Sequence, residues 1–435
     1  MAHAASIDDL LAGRWRRPDG AAGAPLPVRQ VVIAPSLDGR EAELIAPLGL
    51  GRRLALVADP NTWEALGRRV AQALVAIATV DEVVLAAPAA DDATAADLAG
   101  RTRHADALIA AGSGTVNDLC KYAACATGRP YVVFASAPSM NGYVTGTASL
   151  SRAGHKGTLA AACPRAALFD LAVLAQAPKR LIRAGIGDVL CRTTAQTDWL
   201  LAHLLLGTPY DEVPYLWQAA DEPRLLGEAA GMVAGEPDAL GALTRLLVFS
   251  GLGMVQAGSS APASQAEHLV SHYLDMMCHE QRAGRLHGEQ VGVATLSISR
   301  LQHAVLGAAE PPVLRATRID EAAILRHFGP ALGRQCLAEL RAKALDEAAA
   351  ERLNARLAAD WPAIIGRLRP VMLPTADLQA ALSAAGAPTT AADLGVAPVT
   401  WRAALTHARA LRNRFTILDL AAAAGLLDRF VAGER

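Results

Sequence analysis

Aromatic side chains, clustered charge and paired cysteines are all scarce in this chain of 435 residues. Phe, Trp and Tyr together make up 4% of it, while Ala and Leu dominate, which favours helices over strands. The net charge is −1, and no block of Lys and Arg stands out. Because nucleic-acid binding needs clustered basic residues that neutralise phosphates, we expect no nucleic-acid partner.

Signals for export and for membrane insertion are also missing. The opening letters MAHAASIDDLLAGRW contain neither the basic region nor the apolar core of a secretory signal. No run approaches the roughly 18 apolar residues of a transmembrane helix. We therefore predict a cytoplasmic protein with no membrane partner. The cysteines show neither a CxxC pair nor the spacing of a disulfide framework, so we expect them to be reduced. The six are Cys120, Cys125, Cys163, Cys191, Cys278 and Cys336.

Apolar residues are abundant, at 52%, and the chain is longer than a single core usually serves, so we predict two domains. After Pro178 the hydrophobic pattern is helical to the end of the chain. We predict an α/β domain with a mostly parallel sheet over residues 1–178 and an all-α domain over residues 179–435. The strands of the first domain are predicted from apolar runs at 31–33, 54–58, 83–85, 107–111, 131–134 and 167–169.

A glycine-rich turn links the fourth apolar run to a helix. Glycines let the main chain approach a pyrophosphate, and the N-terminus of a helix offers N–H groups to an anion. The turn lacks the full GxGxxG spacing, and a lone GSG is more often an ordinary turn. The polar residues that continue to Asp118, and a second polar loop at residues 136–139, favour nucleotide binding. The turn consists of Gly112, Ser113, Gly114 and Thr115.

Asp59 follows the second apolar run, at the edge of a parallel sheet where ligands gather. Its carboxylate would accept a hydrogen bond from a ribose hydroxyl and would repel a 2′-phosphate. The same residue would also serve as the N-cap of a helix that begins near Thr62. Taken alone, Asp59 is more often a cap than a ligand contact.

Three histidines and one aspartate have the composition of a metal site. His268 and His272 are four residues apart and share a helix face, and His287 stands before a glycine. Asp188 could supply an anionic ligand, and three protein ligands would leave a coordination position for substrate. A polar helix face or satisfied core histidines would explain the pattern equally well. The spacing does not decide between His268 and His272 as the ligand.

Five motifs, in order, resemble the sn-glycerol-1-phosphate dehydrogenase family, which belongs to the iron-containing alcohol dehydrogenase and dehydroquinate synthase-like superfamily. They are GSGTVNDLCKYAA, APSMNGYVTG, GIGDVLCRTTAQTDW, GSSAPASQAEHLVSH and HGEQVGVAT. The resemblance runs from about residue 30 to the end of the chain. Five ordered motifs are far more specific than any one of them, so the chain is identified as a member of that family.

The resemblance implies a Rossmann-like domain that binds NAD or NADP, followed by an all-α domain, in a dehydroquinate synthase-like fold. It also implies one divalent cation, with zinc first and nickel or iron as alternatives, held by Asp188, His268 and His287. The residues implied beside the substrate are Asn141, Lys156 and His272, with His272 as the proton relay. The implied dinucleotide contacts are Asp59, Gly112, Ser113, Gly114, Thr115, Asp118, Ser136 and Ser139.

The activity implied is the reduction of dihydroxyacetone phosphate, or of a similar small phosphorylated or polyhydroxylated ketone. The cation would act as a Lewis acid on the carbonyl, and the nicotinamide would deliver hydride. Four positions depart from the family pattern: Asn141 replaces Asp, Ala261 replaces Arg, Gln265 replaces Gly and Arg192 replaces Lys. Because Asn is uncharged and Ala cannot bind a phosphate, the substrate is less defined than the chemistry.

Two other functions are compatible with parts of the pattern. A sugar-phosphate cyclase resembling dehydroquinate synthase would use the same fold and recycle its NAD, but such relatives usually carry Glu at the position of Asp188. A non-catalytic binding or scaffold subunit is suggested by Asn141 and Ala261, but the three retained metal ligands argue against it. We predict an enzyme that acts on a small molecule and assembles as a homo-oligomer.

Overall fold

A computed structural model describes residues 5–152, 155–278 and 284–434 of the chain, with the main chain alone at 155–156. The chain forms two compact units. The strand-bearing unit consists of Met1–Val189 and Val213–Ser260, and the helical unit consists of Leu190–Glu212 and Ala261–Arg435. Each unit is therefore built from two separate stretches of the sequence.

A parallel six-stranded sheet forms the centre of the strand-bearing unit, in the order β1-β8-β5-β4-β2-β3. Strands β4, β5 and β8 are buried along their whole length, which explains their unbroken apolar sequences. All six predicted strands are present, and the third begins earlier than its apolar run. The strands are β1 (Gln30–Ala34), β2 (Arg53–Ala58), β3 (Thr79–Val84), β4 (Ala107–Gly112), β5 (Tyr131–Ala135) and β8 (Ala166–Asp170).

An antiparallel hairpin, β6 (Thr147–Arg152) and β7 (His155–Ala160), was not foreseen from the sequence. Ala148 and Leu150 are each 1% exposed and alternate with more accessible serines. Period-two alternation was therefore present in the sequence, but over only two apolar residues. The run was too short to stand out among the other alanine-rich segments.

Helices occupy the connections between the strands. The first eight are α1 (Ile7–Leu11), α2 (Glu41–Ile45), α3 (Pro60–Thr62), α4 (Arg68–Leu74), α5 (Asp92–Arg101), α6 (Gly114–Thr127), α7 (Leu171–Gln176) and α8 (Lys179–Leu190). A π-helical turn, Trp63–Gly67, joins α3 to α4, and 3₁₀ turns lie at Ala46–Leu48 and Gly142–Val144. Helix α9 (Arg192–Leu206) belongs to the helical unit. The chain then returns to the strand-bearing unit with α10 (Val213–Leu216), α11 (Glu222–Gly227), α12 (Ala229–Ala234) and α13 (Pro237–Gln256).

In the helical unit, every regular element among the described residues is helical, which confirms the predicted all-α region. Trp361, Trp401 and Phe415 are buried in a large apolar core of this unit. Short 3₁₀ turns lie at Ala261–Ala263, Arg369–Val371 and Ala408–Leu411. The remaining helices are α14 (Ala266–Met277), α15 (His287–Leu306), α16 (Glu321–Phe328), α17 (Pro330–Arg341), α18 (Glu347–Leu368), α19 (Thr375–Ala384), α20 (Pro398–His407), α21 (Ile417–Ala423) and α22 (Leu427–Gly433).

The strand-bearing unit continues past residue 178 to Val189 and also takes in Val213–Ser260. A compact unit is defined by its contacts and not by independent folding, so the domain boundary at 178 stays a prediction. Within this unit, α13 is long and apolar enough to cross a membrane by length and composition. However, 78% of its apolar window is buried inside the protein, as in the core helix of a soluble protein.

Candidate active site

Three neighbouring strands bring the predicted dinucleotide residues to one edge of the sheet. Strands β5, β4 and β2 are adjacent and parallel, so their carboxyl ends lie side by side. Asp59 follows β2, the glycine turn ends β4, and residues 136–139 follow β5. The chain runs from β2 to its neighbour β3 but from β4 to its neighbour β5, so the strand order changes direction between β2 and β4. Such a switch point is where α/β sheets bind ligands.

The glycine turn is shaped by a close approach to the helix that follows it. A Cβ on Gly112 would lie 2.6 Å from the Cβ of Val116, so only glycine fits there. Ser113 has an extended main chain at the N-cap of α6, and Ser113, Gly114 and Thr115 are all half-buried. The N-terminus of this 14-residue helix therefore points its first N–H groups at accessible space.

Asp59 serves as the helix cap that the sequence also suggested. Its Oδ1 accepts hydrogen bonds from the main-chain N–H groups of Asn61 and Thr62, both at 2.9 Å. The Thr62 hydroxyl in turn accepts from the N–H of Asp59 at 3.0 Å, which completes a capping box. Both capping bonds use Oδ1, so the half-buried carboxylate can cap the helix and still offer Oδ2 to a ribose. The ribose contact itself stays a prediction.

Asp118 lies on α6 and takes part in an internal network. Its Oδ2 accepts from the N–H of Ser149 at 2.9 Å, and its Oδ1 lies 3.7 Å from Nζ of the fully buried Lys121. Lys121 also donates to the carbonyls of Gly142 and Thr147. Burial lowers the pKa of Lys121, and the charge of Asp118 opposes that shift. Asp118, which the sequence predicted as a dinucleotide contact, and Lys121, which it did not single out, attach the hairpin to the helix of the glycine turn. The dinucleotide contact of Asp118 stays a prediction.

The loop after β5 is attached to the glycine turn by a main-chain hydrogen bond and is held internally by hydroxyl hydrogen bonds. The N–H of Ser136 donates to the carbonyl of Gly112 at 3.1 Å. The hydroxyl of Tyr143 donates to the carbonyl of Ala137 at 2.6 Å and lies 3.5 Å from the hydroxyl of Ser139. Ser136 therefore lies beside the glycine turn, while Ser139 contacts Tyr143 within its own loop, and the contacts of both serines with a dinucleotide stay predictions.

Asn141 is fixed at both its main chain and its side chain. Its N–H donates to Oδ2 of Asp188 at 2.7 Å, and its Nδ2 donates to the hydroxyl of Ser250 at 3.2 Å. The same loop lies against α8, where a Cβ on Gly185 would lie 1.8 Å from the carbonyl oxygen of Pro138. The loop therefore orients the carboxylate of Asp188, which is 1% exposed. Lys156 lies on β7, and its side chain is outside the described part of the structure.

In the helical unit, three histidine rings lie together on α14 and at the start of α15. The ring centroids of His268 and His287 are 5.2 Å apart. His272 lies 6.3 Å from His268 and 6.0 Å from His287, again between ring centroids. The structure thus brings together the three histidines that the sequence singled out.

Glu267 orients the ring of His268. Its Oε1 lies 3.0 Å from Nδ1 of His268 and accepts from the N–H of Gln265 at 2.7 Å. The hydroxyl of Thr194 lies 3.1 Å from Oε2. Burial acts to raise the pKa of Glu267, but the hydrogen bond with His268, the charge of that ring and the main-chain N–H of Gln265 outweigh it and lower the pKa overall. An ionised Glu267 holds the proton of His268 on Nδ1, which leaves Nε2 as the atom able to bind a cation.

The donor set fits a divalent transition metal. Two imidazoles and a carboxylate that is already oriented by a main-chain N–H are ligands typical of zinc, iron or nickel. Cys191, Glu267 and His268 form a second buried group whose potential ligand atoms lie within 4.8 Å of one another. Since the oxygens of Glu267 already accept several hydrogen bonds, that residue is better placed to orient His268 than to bind a metal.

The departures from the family pattern at the start of α14 are linked. The side chain of Gln265 is 1% exposed, and its Nε2 donates to the carbonyl of Ala261 at 2.9 Å. The glutamine therefore folds back over the segment that lacks the expected arginine. Arg192, the fourth departure, is the first residue of α9.

Comparison with known proteins places the chain among alcohol dehydrogenases. The model of the family described as iron-containing alcohol dehydrogenase matches residues 32–178. A glycerol-1-phosphate dehydrogenase [NAD(P)+] from Geobacillus stearothermophilus is 31% identical over 408 residues, covering 90% of this chain and 92% of the relative. The enzyme of the same name from Bacillus licheniformis is 32% identical, covering 66% of this chain and 73% of the relative.

Solved structures agree on the fold. Glycerol dehydrogenase from Schizosaccharomyces pombe superposes with a TM-score of 0.62 at 15% identity, covering 93% of this chain and 90% of that one. Maleylacetate reductase from Rhizobium sp. gives a TM-score of 0.61 at 20% identity, covering 95% and 98%. These likenesses confirm the dehydroquinate synthase-like fold. With relatives more than 30% identical over most of their length, the chain belongs to the glycerol-1-phosphate dehydrogenase family of NAD(P)-dependent, iron-containing-type alcohol dehydrogenases.

Proposed function

We propose that this enzyme interconverts dihydroxyacetone phosphate, or a similar small phosphorylated or polyhydroxylated ketone, and the corresponding alcohol with NAD or NADP. The observation that carries the proposal is the pair His268 and His287, each with Nδ1 engaged by a neighbouring side chain. Such partners are typical of histidines that bind a metal through Nε2. The relatives named glycerol-1-phosphate dehydrogenase support the substrate class. The cytoplasmic location and the homo-oligomeric state stay predictions.

Asp188, His268 and His287 would hold one divalent cation, with zinc first and nickel or iron as alternatives. When bound, the cation polarises the ketone carbonyl and so favours hydride transfer from the nicotinamide. The part played by Asn141 is to orient Asp188 through its main-chain N–H. The part played by Glu267 is to fix the ring of His268.

His272 lies one turn after His268 on α14, within reach of both other rings. We assign it the transfer of the proton between the alcohol oxygen and solvent, directly or through a water. The side chains of Asn141 and Lys156 would contact the substrate. The residues assigned to the dinucleotide are Asp59, Gly112, Ser113, Gly114, Thr115, Asp118, Ser136 and Ser139.

The test combines metal analysis with cofactor consumption. Purified protein loaded with zinc, nickel or iron should bind one equivalent and consume NADH or NADPH steadily when a small ketone phosphate is added. Product formed without net loss of NADH would indicate the cyclase reaction instead. A folded protein that takes up no stoichiometric metal would contradict the proposal and would favour a binding or scaffold subunit.

The substrate is tested by restoring the family residues. In the variant Asn141→Asp with Ala261→Arg, the new carboxylate can accept from the hydroxyl of Ser250, which Asn141 now contacts as a donor. The added arginine would bind a phosphate through two hydrogen bonds. We expect kcat/KM for dihydroxyacetone phosphate to rise by about tenfold or more. Each single variant serves as a control, and no gain in the double variant would show that these positions do not select the substrate.

A further inference from the structure

We propose that Ser271 and Gln290 are positioning residues that place the proton of His287 on Nδ1, so that its Nε2 carries the lone pair needed to bind a cation. This inference rests on the proposed function, because it concerns the metal that His287 would hold. The acceptor at His268 is a charged carboxylate, Glu267. At His287 the acceptor is the neutral hydroxyl of Ser271, which in turn donates to Gln290, and we call these two side chains the relay.

The relay is short and buried. Ser271 lies on α14 one turn after His268, and its hydroxyl is 3.1 Å from Nδ1 of His287. The same hydroxyl donates to Oε1 of Gln290 at 2.8 Å. Ser271 is fully buried and Gln290 is 1% exposed, so water does not compete for the bond between them, whereas His287 itself is half-buried. Gln290 lies on α15 three residues after His287, on the neighbouring turn of the same helix face.

The position of the protons follows from the inventory of donors. A serine hydroxyl carries one proton, and a carbonyl oxygen such as Oε1 of Gln290 can only accept. When that proton is given to Gln290, the oxygen of Ser271 can only accept from His287. Nδ1 of His287 must therefore carry the ring proton, and Nε2 keeps its lone pair.

The reverse orientation of the Gln290 amide would give the opposite result. Its NH₂ group would donate to Ser271, and the hydroxyl would then donate to Nδ1 of His287. The ring proton would move to Nε2, the atom needed for a metal. The observed orientation leaves Nε2 of Gln290 buried without a hydrogen-bond partner among the described residues.

The start of α15 is held by a hydrogen bond that does not involve Ser271 or Gln290. The N–H of Leu286 donates to Oε2 of Glu289 at 3.1 Å, and this bond fixes the first turn of the helix. His287 is thus already placed at the helix start by the main chain. The relay adds only the choice of tautomer and the rotation of the ring, so it can be tested without removing the helix.

The test measures the affinity of the full-length, metal-free protein for Zn²⁺ by competition with a chromogenic chelator. Ser271→Ala and Gln290→Met should each weaken zinc binding by about 10- to 100-fold. Gln290→Glu keeps an acceptor opposite Ser271 and should bind zinc at least as tightly as the parent. The added charge of this glutamate would by itself also attract zinc. The decisive comparison is therefore the double variant: adding Gln290→Met to Ser271→Ala should weaken zinc binding little beyond the effect of Ser271→Ala alone.

A second measurement reads the tautomer directly from the side-chain ¹⁵N shifts of His287 in the metal-free protein. The parent should show Nδ1–H, and Gln290→Met should shift the population towards Nε2–H. Unchanged zinc affinity and an unchanged tautomer in Gln290→Met would overturn the relay, provided that circular dichroism shows a folded protein. If the parent binds no zinc, the proposed function fails, but the ¹⁵N shifts still decide the relay.

Discussion

The two compact units hold their proposed site residues by different means. In the strand-bearing unit, the glycine turn and the loop after β5 are held by main-chain geometry and by the Ser136–Gly112 hydrogen bond. In the helical unit, His268 and His287 are held by side chains, through Glu267 and through Ser271. A site made from the main chain tolerates many side chains but few changes at glycine, whereas a site made from side chains depends on each donor and acceptor.

The largest effect should follow removal of a proposed metal ligand. Asp188→Asn and His287→Ala each remove a donor to the cation, and we expect kcat to fall by more than about 10³-fold with the fold unchanged. Steady-state kinetics, metal content and circular dichroism would measure this. His303→Ala is the matched control, because His303 lies on the same helix, is exposed, and contacts the carbonyl of Leu373. Full activity in either ligand variant would show that the ligand assignment is wrong.

A smaller effect should follow a change at the glycine turn. In Gly112→Ala the new Cβ would lie 2.6 Å from Val116, and the overlap should cost about 1–3 kcal/mol in the free energy of unfolding. Affinity for NADH should fall at the same time, since the turn must shift. Urea unfolding and fluorescence titration with NADH would measure both effects.

Two further variants sharpen the test of this turn. Val116→Ala in the Gly112→Ala background should restore a small part of both losses, because it removes Cγ2 and Cγ1, at 2.9 and 3.0 Å from the new Cβ, but keeps the Cβ at 2.6 Å. Gly100→Ala on α5 is the control, since a Cβ there meets nothing within 4 Å and should stabilise the helix slightly. If Gly112→Ala binds NADH like the parent, the main-chain account of this side of the site is wrong.

The smallest effect concerns acid stability of the helical unit. Burial, the neighbouring His327 and the charge of Arg409 lower the pKa of His407 to about 4. A histidine whose pKa is lowered on folding stabilises the protein above its unfolded pKa, near 6.5, and that stability is lost as the pH falls towards 4. His407→Phe, which keeps the ring stacked on His327, should reduce the loss between pH 7 and pH 5 by on the order of 1 kcal/mol after solvent screening.

Urea unfolding at the two pH values would measure this difference. His104→Phe is a matched control, since that histidine is exposed in the strand-bearing unit. An equal loss of stability in the parent and in His407→Phe would show that the stacked pair does not couple folding to protons.

Much of the strand-bearing unit could be predicted from the sequence because its signals are local. Each strand of the sheet contains or overlaps a short apolar run, and the glycine turn connects β4 directly to α6. The order of the strands places these turns together at one edge, so local recognition of strand ends was enough to group their residues. The hairpin was missed because its alternation covers only Ala148 and Leu150.

Residues whose roles depend on distant partners could not be found in this way. Lys121 reads as one polar residue on a helix, and only the fold shows its contacts with the carbonyls of Gly142 and Thr147. Ser271 and Gln290 lie at ordinary helical spacings from His268 and His287, and serine or glutamine at such positions is common. Their signal was the shared helix face, but no local rule connects two helices.

The sequence by itself determined the six strands of the sheet, the helical character of the second half and the family, and it supplied the residues proposed to bind a cation or a phosphate, because these depend on periodicity and continuous motifs. Only the tertiary structure decided which atom of each site residue is engaged in a hydrogen bond within the protein. It engaged one oxygen of Asp188 with Asn141, and Nδ1 of His268 and His287 with Glu267 and Ser271. The physical reason is that hydrogen bonds are directional and of short range, so the partner of each atom is fixed only when distant segments pack together.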